Sequence, residues 1–186
     1  MDHSTDLSGK RLQGLLTTAV MTAVCCILGP LSIPIGPVPV SLQVVAVYLC
    51  VFVLGWKKGT VSIILYILLG LFGLPVFTGF TGGPAKLLGP TGGFIIGFVF
   101  LGLISGFLIE ASSGRIFMQL SGMVLGLAVC YLFGTLWFMF LQHVGFFAAL
   151  SVCVLPFLAF DAAKIIISAF AGNAIRHALR AAGQID

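Results

Sequence analysis

A chain of 186 residues with 60% apolar side chains, nine basic and five acidic residues and a net charge of +4 has a mean hydropathy of +1.21. About a quarter of the residues in a water-soluble domain are charged, so this composition excludes one and predicts an all-α integral membrane protein. The polar tails are about ten residues each, too short for a nucleotide-hydrolysing domain.

Gly, Pro and charged residues divide the apolar sequence into six predicted spans: Leu12 to Leu28, Val40 to Gly55, Gly59 to Gly73, Thr91 to Ile109, Ile116 to Leu141, and Leu155 to Leu179. Each approaches the roughly 20 residues that a helix needs to cross the hydrocarbon core, the second and third being short. The runs lack the alternation of barrel strands, so the expected architecture is a six-transmembrane-helix bundle, one transmembrane domain over residues 1–186.

Span one follows Lys10 and Arg11, as the apolar part of a signal peptide would. The small-residue cleavage pattern is missing and Val24 before Cys25 fits a lipoprotein site poorly, so the segment is expected to remain as a helix. Ala19 and Ala23 form a small-xxx-small face that lets another helix approach closely. Gly93 with Gly97, Gly102 with Gly106, and Gly122 with Gly126 share that spacing and read as internal packing sites. The five cysteines fall within apolar segments without metal or redox spacing, and read as small packing residues.

Two segments interrupt the helical pattern. Gly29 to Pro39 reads GPLSIPIGPVP, in which four prolines favour a stiff, extended loop ending four residues before Gln43. Leu74 to Gly93 reads LPVFTGFTGGPAKLLGPTGG, with Lys86 its only charge. The GxxxxGK[ST] spacing of a phosphate-binding loop is absent. Twenty residues without regular structure suggest a lid or binding loop.

Placing the N-terminus in the cytoplasm puts Lys10, Arg11, Lys57, Lys58, Arg115, Arg176 and Arg180 on that side, as the excess of basic residues in cytoplasmic loops requires. The C-terminus is then cytoplasmic too, both long irregular segments face outward, and Glu110 and Arg115 flank a solvated inner turn. The exceptions are Lys86 and Lys164. Lys164 lies twelve residues before Arg176, about 18 Å along a helix, so it and Asp161 sit toward the outer leaflet.

Asp161 and Lys164 stand one helical turn apart in an apolar run. A charge well inside a bilayer costs roughly 2.5 to 3.5 kcal/mol on insertion scales and is tolerated where it pairs, faces a cavity or grips a ligand. Mutual neutralisation as an i, i+3 pair, or an Asp161 favoured by a helix start after Pro156, would explain them structurally. Functionally, Gln43, Lys86, Asp161 and Lys164 are expected to converge below the two loops, with Phe77 and Phe80 as candidate lining residues. Such a pocket suits a small molecule with an anionic tail and a neutral hydrogen-bonding head. Every candidate lies on one side, which favours a binding cup over a channel. His3, His143 and His177 are scattered without a carboxylate cluster, so catalysis is not expected, and neither is a metal, a cofactor or a nucleic-acid partner.

The strings IPIGPVPVSLQ, GLPVFTGFTGGPAKLLGPTGGF and PFLAFDAAKI resemble motifs of the BioY family, the biotin-specific substrate-binding (S) components of energy-coupling factor (ECF) transporters. The resemblance runs from about Leu12 to Arg180. It implies capture of biotin from outside, with transport energised by a separate membrane coupling protein and two ATP-binding-cassette ATPases, so ATP hydrolysis belongs to partner subunits. Gln43, Lys86, Asp161 and Lys164 match the family's polar positions. A lysine would receive the valerate carboxylate, either Lys86 or Lys164, while Asp161 and Gln43 would bond the ureido group. The helix-one alanines, Ala19 and Ala23 here, are associated in S components with docking to the coupling protein. The family often has Pro-Gly before the aspartate and Tyr after the paired glycines; this chain has Ala159-Phe160 and Phe94, which puts a hydroxyl contact from position 94 in question.

Overall fold

A computed structural model describes residues 3–33 and 40–183, with side chains from Arg11 onward. In chain order it contains α1 (His3–Leu28), β1 (Ser32–Ile33), β2 (Val40–Ser41), α2 (Gln43–Leu71), α3 (Pro84–Leu88), α4 (Gly92–Ala111), α5 (Ile116–Gln142), α6 (Phe146–Cys153) and α7 (Leu158–Ala181). The five long helices are each apolar and long enough to cross a membrane.

Although its helical residues run on from Gln43 to Leu71, α2 folds back on itself at Gly55, which has φ 73° and ψ 177°. Cys50 Sγ lies 3.6 Å from Ser62 Oγ, whereas twelve residues of straight helix would separate them by about 18 Å. The reversal needs a left-handed residue, which glycine supplies at little cost. A Cβ at position 55 would also stand 2.9 Å from Glu110 Oε2. Glu110, expected to be merely solvated, accepts the Trp56 N–H at 3.4 Å and so caps the second arm. The connection anticipated between residues 55 and 59 thus shrinks to one glycine.

The two arms of α2 pack between α1 and α4. Thr22 Oγ1 on α1 sits 2.9 Å from Ser62 Oγ and Cys25 Sγ 3.3 Å from Cys50 Sγ, a polar seam of the kind that holds helices together in lipid. The opposite face of α1, with Leu12, Leu15, Leu16 and Val20, is exposed. Glycines let α4 approach its neighbours: a Cβ on Gly97 would meet Cys130 Sγ at 2.9 Å and one on Gly102 would meet Ile63 at 2.4 Å. These are the packing roles expected from the small-xxx-small spacing.

Three expectations change. The segment from Leu74 to Gly93 is not structureless, because Pro84 at the first turn starts α3 and Phe77 pairs with Thr81. The short helix α6 was not anticipated; Pro156 lies in the turn that separates it from α7, so the last long helix starts at Leu158 instead of Leu155. Val40 and Ser41 pair antiparallel with Ile33 and Ser32 before the helix begins. Of the proline-rich segment, residues 34–39 lie outside the described residues, and the expectation of a stiff extended loop there stays with the sequence.

Candidate functional site

Both irregular segments meet at one end of the bundle and are tied to each other. The Gly79 N–H donates to the Pro30 carbonyl at 3.0 Å, the Leu42 N–H to Leu31 at 3.0 Å and the Gly83 N–H to Gly70 at 2.7 Å. Gln43 is the knot. Its Oε1 accepts from Thr78 Oγ1 at 2.6 Å and from Ser41 Oγ at 3.1 Å, while its Nε2 donates to the Tyr66 hydroxyl at 2.6 Å. Tyr66 in turn donates to the Val76 carbonyl at 3.0 Å. With its oxygen engaged twice, Gln43 has one amide N–H left to offer a ligand.

Across the cavity, α7 presents Asp161 and Lys164, 4% and 9% exposed. Lys164 Nζ donates to Asp161 Oδ1 at 2.6 Å, and the Tyr131 hydroxyl from α5 donates to Asp161 Oδ2. Each oxygen has one strong donor and a spare lone pair, and two of the three ammonium protons of Lys164 have no described partner. A charge so buried is stable because its counter-charge and a hydroxyl accompany it.

The space between these groups amounts to about 570 Å³ including the part open to solvent. Apolar walls come from Phe94, Ile95, Phe98, Leu127 and Phe157, with Thr78, Thr91 and Ser41 on the loop side. The arrangement offers one anion, one cation and an amide on an apolar ground, enough to orient a polar head.

Of the residues singled out in the sequence, Gln43, Asp161, Lys164 and Phe94 line this cavity, whereas Lys86, Phe77 and Phe80 do not. Phe77 is fully buried and packs edge-on against Tyr66 with centroids 5.7 Å apart; its ring fills the space where Gly70 has no side chain. It anchors the loop from beneath. Phe80, with φ 56° and 65% exposure, points away at the loop's tip. Lys86 is half-buried on α3, five residues before Thr91, and burial pushes its ammonium below the usual lysine range.

Tyr131 and Thr78 were missed in the sequence. Tyr131 supplies a hydroxyl to the cavity even though position 94 is Phe, and the available signal was a phenol within an apolar 27-residue helix, since a buried tyrosine hydroxyl needs a partner. Thr78 carried no signal among the small residues of its loop. Among the described residues no group of three or more His, Cys, Asp or Glu could hold a metal.

A helical membrane protein with a polar cup at one end of its bundle is the architecture of a substrate-capturing transporter subunit. Residues 2–181 match the model of the BioY family, and the chain belongs to that family. It is 39% identical over 158 residues to the biotin transporter BioY of Thermotoga maritima, covering 85% of this chain and 92% of that one. It is 36% identical over 173 residues to biotin transporter BioY2 of Lactococcus lactis subsp. cremoris, covering 93% and 95%. A crystal structure of the S-component for biotin from an ECF-type ABC transporter superposes with a TM-score of 0.82 at 33% identity, covering 95% of each chain.

Proposed function

We propose that the protein takes up biotin as the S component of an ECF-type transporter, a multi-pass protein of the cell membrane. The observation that carries this reading is the buried pair Asp161 and Lys164, joined by the half-buried Tyr131, facing Gln43 across an apolar cavity. The cyclic urea of biotin has two N–H donors and one strongly accepting carbonyl. Asp161 accepts an N–H through its spare lone pair, Lys164 and the free amide proton of Gln43 donate to the carbonyl, and Phe94, Phe98 and Phe157 enclose the thioether ring. The valerate tail runs toward the loops, where Lys86 on α3, five residues before the lining residue Thr91 in sequence, receives its carboxylate.

With each arm of α2 counted separately, the chain forms six spans as one transmembrane domain, both termini lie in the cytoplasm and the cup opens outward. The basic residues at the end of the bundle away from Asp161 support that orientation. Ala19 and Ala23 are exposed while Thr18, Thr22 and Cys25 pack inward, which supports docking of a membrane coupling protein on this face of α1, with two ATPases below it. The chain itself is a binding subunit and no enzyme.

Calorimetric titration of the detergent-solubilised protein with biotin, with thiamine and riboflavin as controls, tests the reading. Tight, selective binding that is lost in Asp161→Asn is the expected result. A folded, ligand-free protein that does not bind biotin would overturn it.

A further inference from the structure

A second concavity lies at the opposite end of the bundle, about 2060 Å³ including the part open to solvent. Among the described side chains its lining carries Lys58 and Arg176, with Arg180, and the carboxylate Glu110. Among the side chains described, from Arg11 onward, Asp161–Lys164 is the ion pair within 4 Å, and neither Lys58 nor Arg176 has a described carboxylate at that distance. Lys58 lies against α1: its Nζ is 2.8 Å from where a Gly14 Cβ would stand, so the missing side chain leaves room for the ammonium. At the base, Gln119 and Asn173 satisfy each other, with Asn173 Nδ2 donating to Gln119 Oε1 at 2.7 Å. Phe52, Val53 and Ile109 add apolar wall beside the cations.

We propose that this cleft binds the phosphate headgroup of an acidic phospholipid. Arg176 lies fifteen residues beyond Asp161, about 22 Å along α7, which places it at the depth of the far leaflet's headgroups. A guanidinium offers a planar fork of donors to phosphate oxygens and an ammonium adds a point charge, the pairing that holds a phosphodiester. The neighbouring apolar wall of Phe52, Val53 and Ile109 suits a ligand whose head is anionic and whose tails are hydrocarbon. A soluble acidic peptide has no use for that surface. The site is separate from the biotin cup and stands whether or not biotin is the substrate.

Native mass spectrometry of the full chain, released from detergent with equimolar phosphatidylglycerol and phosphatidylcholine, tests it. Retention of phosphatidylglycerol at about tenfold preference, lost in K58Q/R176Q, is expected; thermal unfolding and biotin titration report whether the variant is folded. Equal retention of both lipids, or a variant that keeps phosphatidylglycerol as the wild type does, overturns the proposal. Displacement by millimolar inorganic phosphate would make a free anion the ligand, and displacement by a glutamate-rich peptide would make the cleft a protein interface; either overturns the lipid assignment. Lipid retention without biotin binding would break only the transport reading.

Discussion

Along α7 the protein handles charge in two opposite ways. Near its start, Asp161 and Lys164 are buried and closed on each other at 2.6 Å, with Tyr131 on the remaining oxygen. Near its end, Arg176 faces a wide cleft with no described carboxylate within 4 Å. The difference follows from dielectric: inside the bundle a lone ion is prohibitively costly, whereas at the membrane boundary water and headgroups solvate it. A closed pair can be opened by a ligand that offers equal hydrogen bonds in return. An open cation recruits whatever anion is near.

The largest expected effect comes from breaking the closed end. Asp161→Asn leaves Lys164 buried without its counter-charge, which destabilises by about 3–5 kcal/mol, and biotin affinity falls about 100-fold or more in calorimetry. In Asp161→Asn with Lys164→Met the stability returns and the affinity does not; recovery of both would show that the pair is structural only.

Gly70→Ala is next. The new methyl would sit 2.1 Å from Phe77 Cζ, so the ring must leave its seat, and a loss of about 1–3 kcal/mol in unfolding is expected. The Leu74 to Gly93 loop should then become sensitive to protease, and biotin should protect the wild-type loop. Protection unchanged by biotin would count against closure of the loops over the ligand.

Tyr131→Phe removes one hydrogen bond to a carboxylate and should weaken biotin binding about tenfold. Unchanged affinity would restrict Tyr131 to packing. Lys86→Ala should cost about two- to fivefold, because a partly solvated ion pair contributes little. The loss should vanish for biotin amide, which lacks the carboxylate; an equal loss for acid and amide would remove Lys86 from the tail site.

Smallest at the binding step is Ala19→Leu with Ala23→Leu. Both positions face outward, so titration of the isolated chain should be unchanged while uptake in cells with the complete transporter falls. Normal uptake would move the docking face elsewhere.

Hydropathy and punctuation made the long helices legible, because lipid demands continuous apolar runs whose backbone is bonded internally. The ends of α1, α4 and α5 lie within a few residues of the expected C-terminal boundaries, whereas α6 stayed hidden because eight apolar residues resemble any part of a longer span. Asp161, Lys164 and Gln43 stood out for the same reason that they matter: polar groups in apolar sequence carry a penalty that function or pairing must offset.

What the sequence determined by itself was the class of protein, its long apolar helices and three polar residues that line the cup, Gln43, Asp161 and Lys164. Tertiary structure alone decided that Phe77 supports the loop instead of facing the cavity, that Tyr131 reaches Asp161 from another helix, and that Lys86 stands outside the lining. The physical reason is that burial and periodicity are local properties of a chain. The meeting of Tyr131 with Asp161, thirty residues apart, depends on the packing of α5 against α7, which no window of sequence contains.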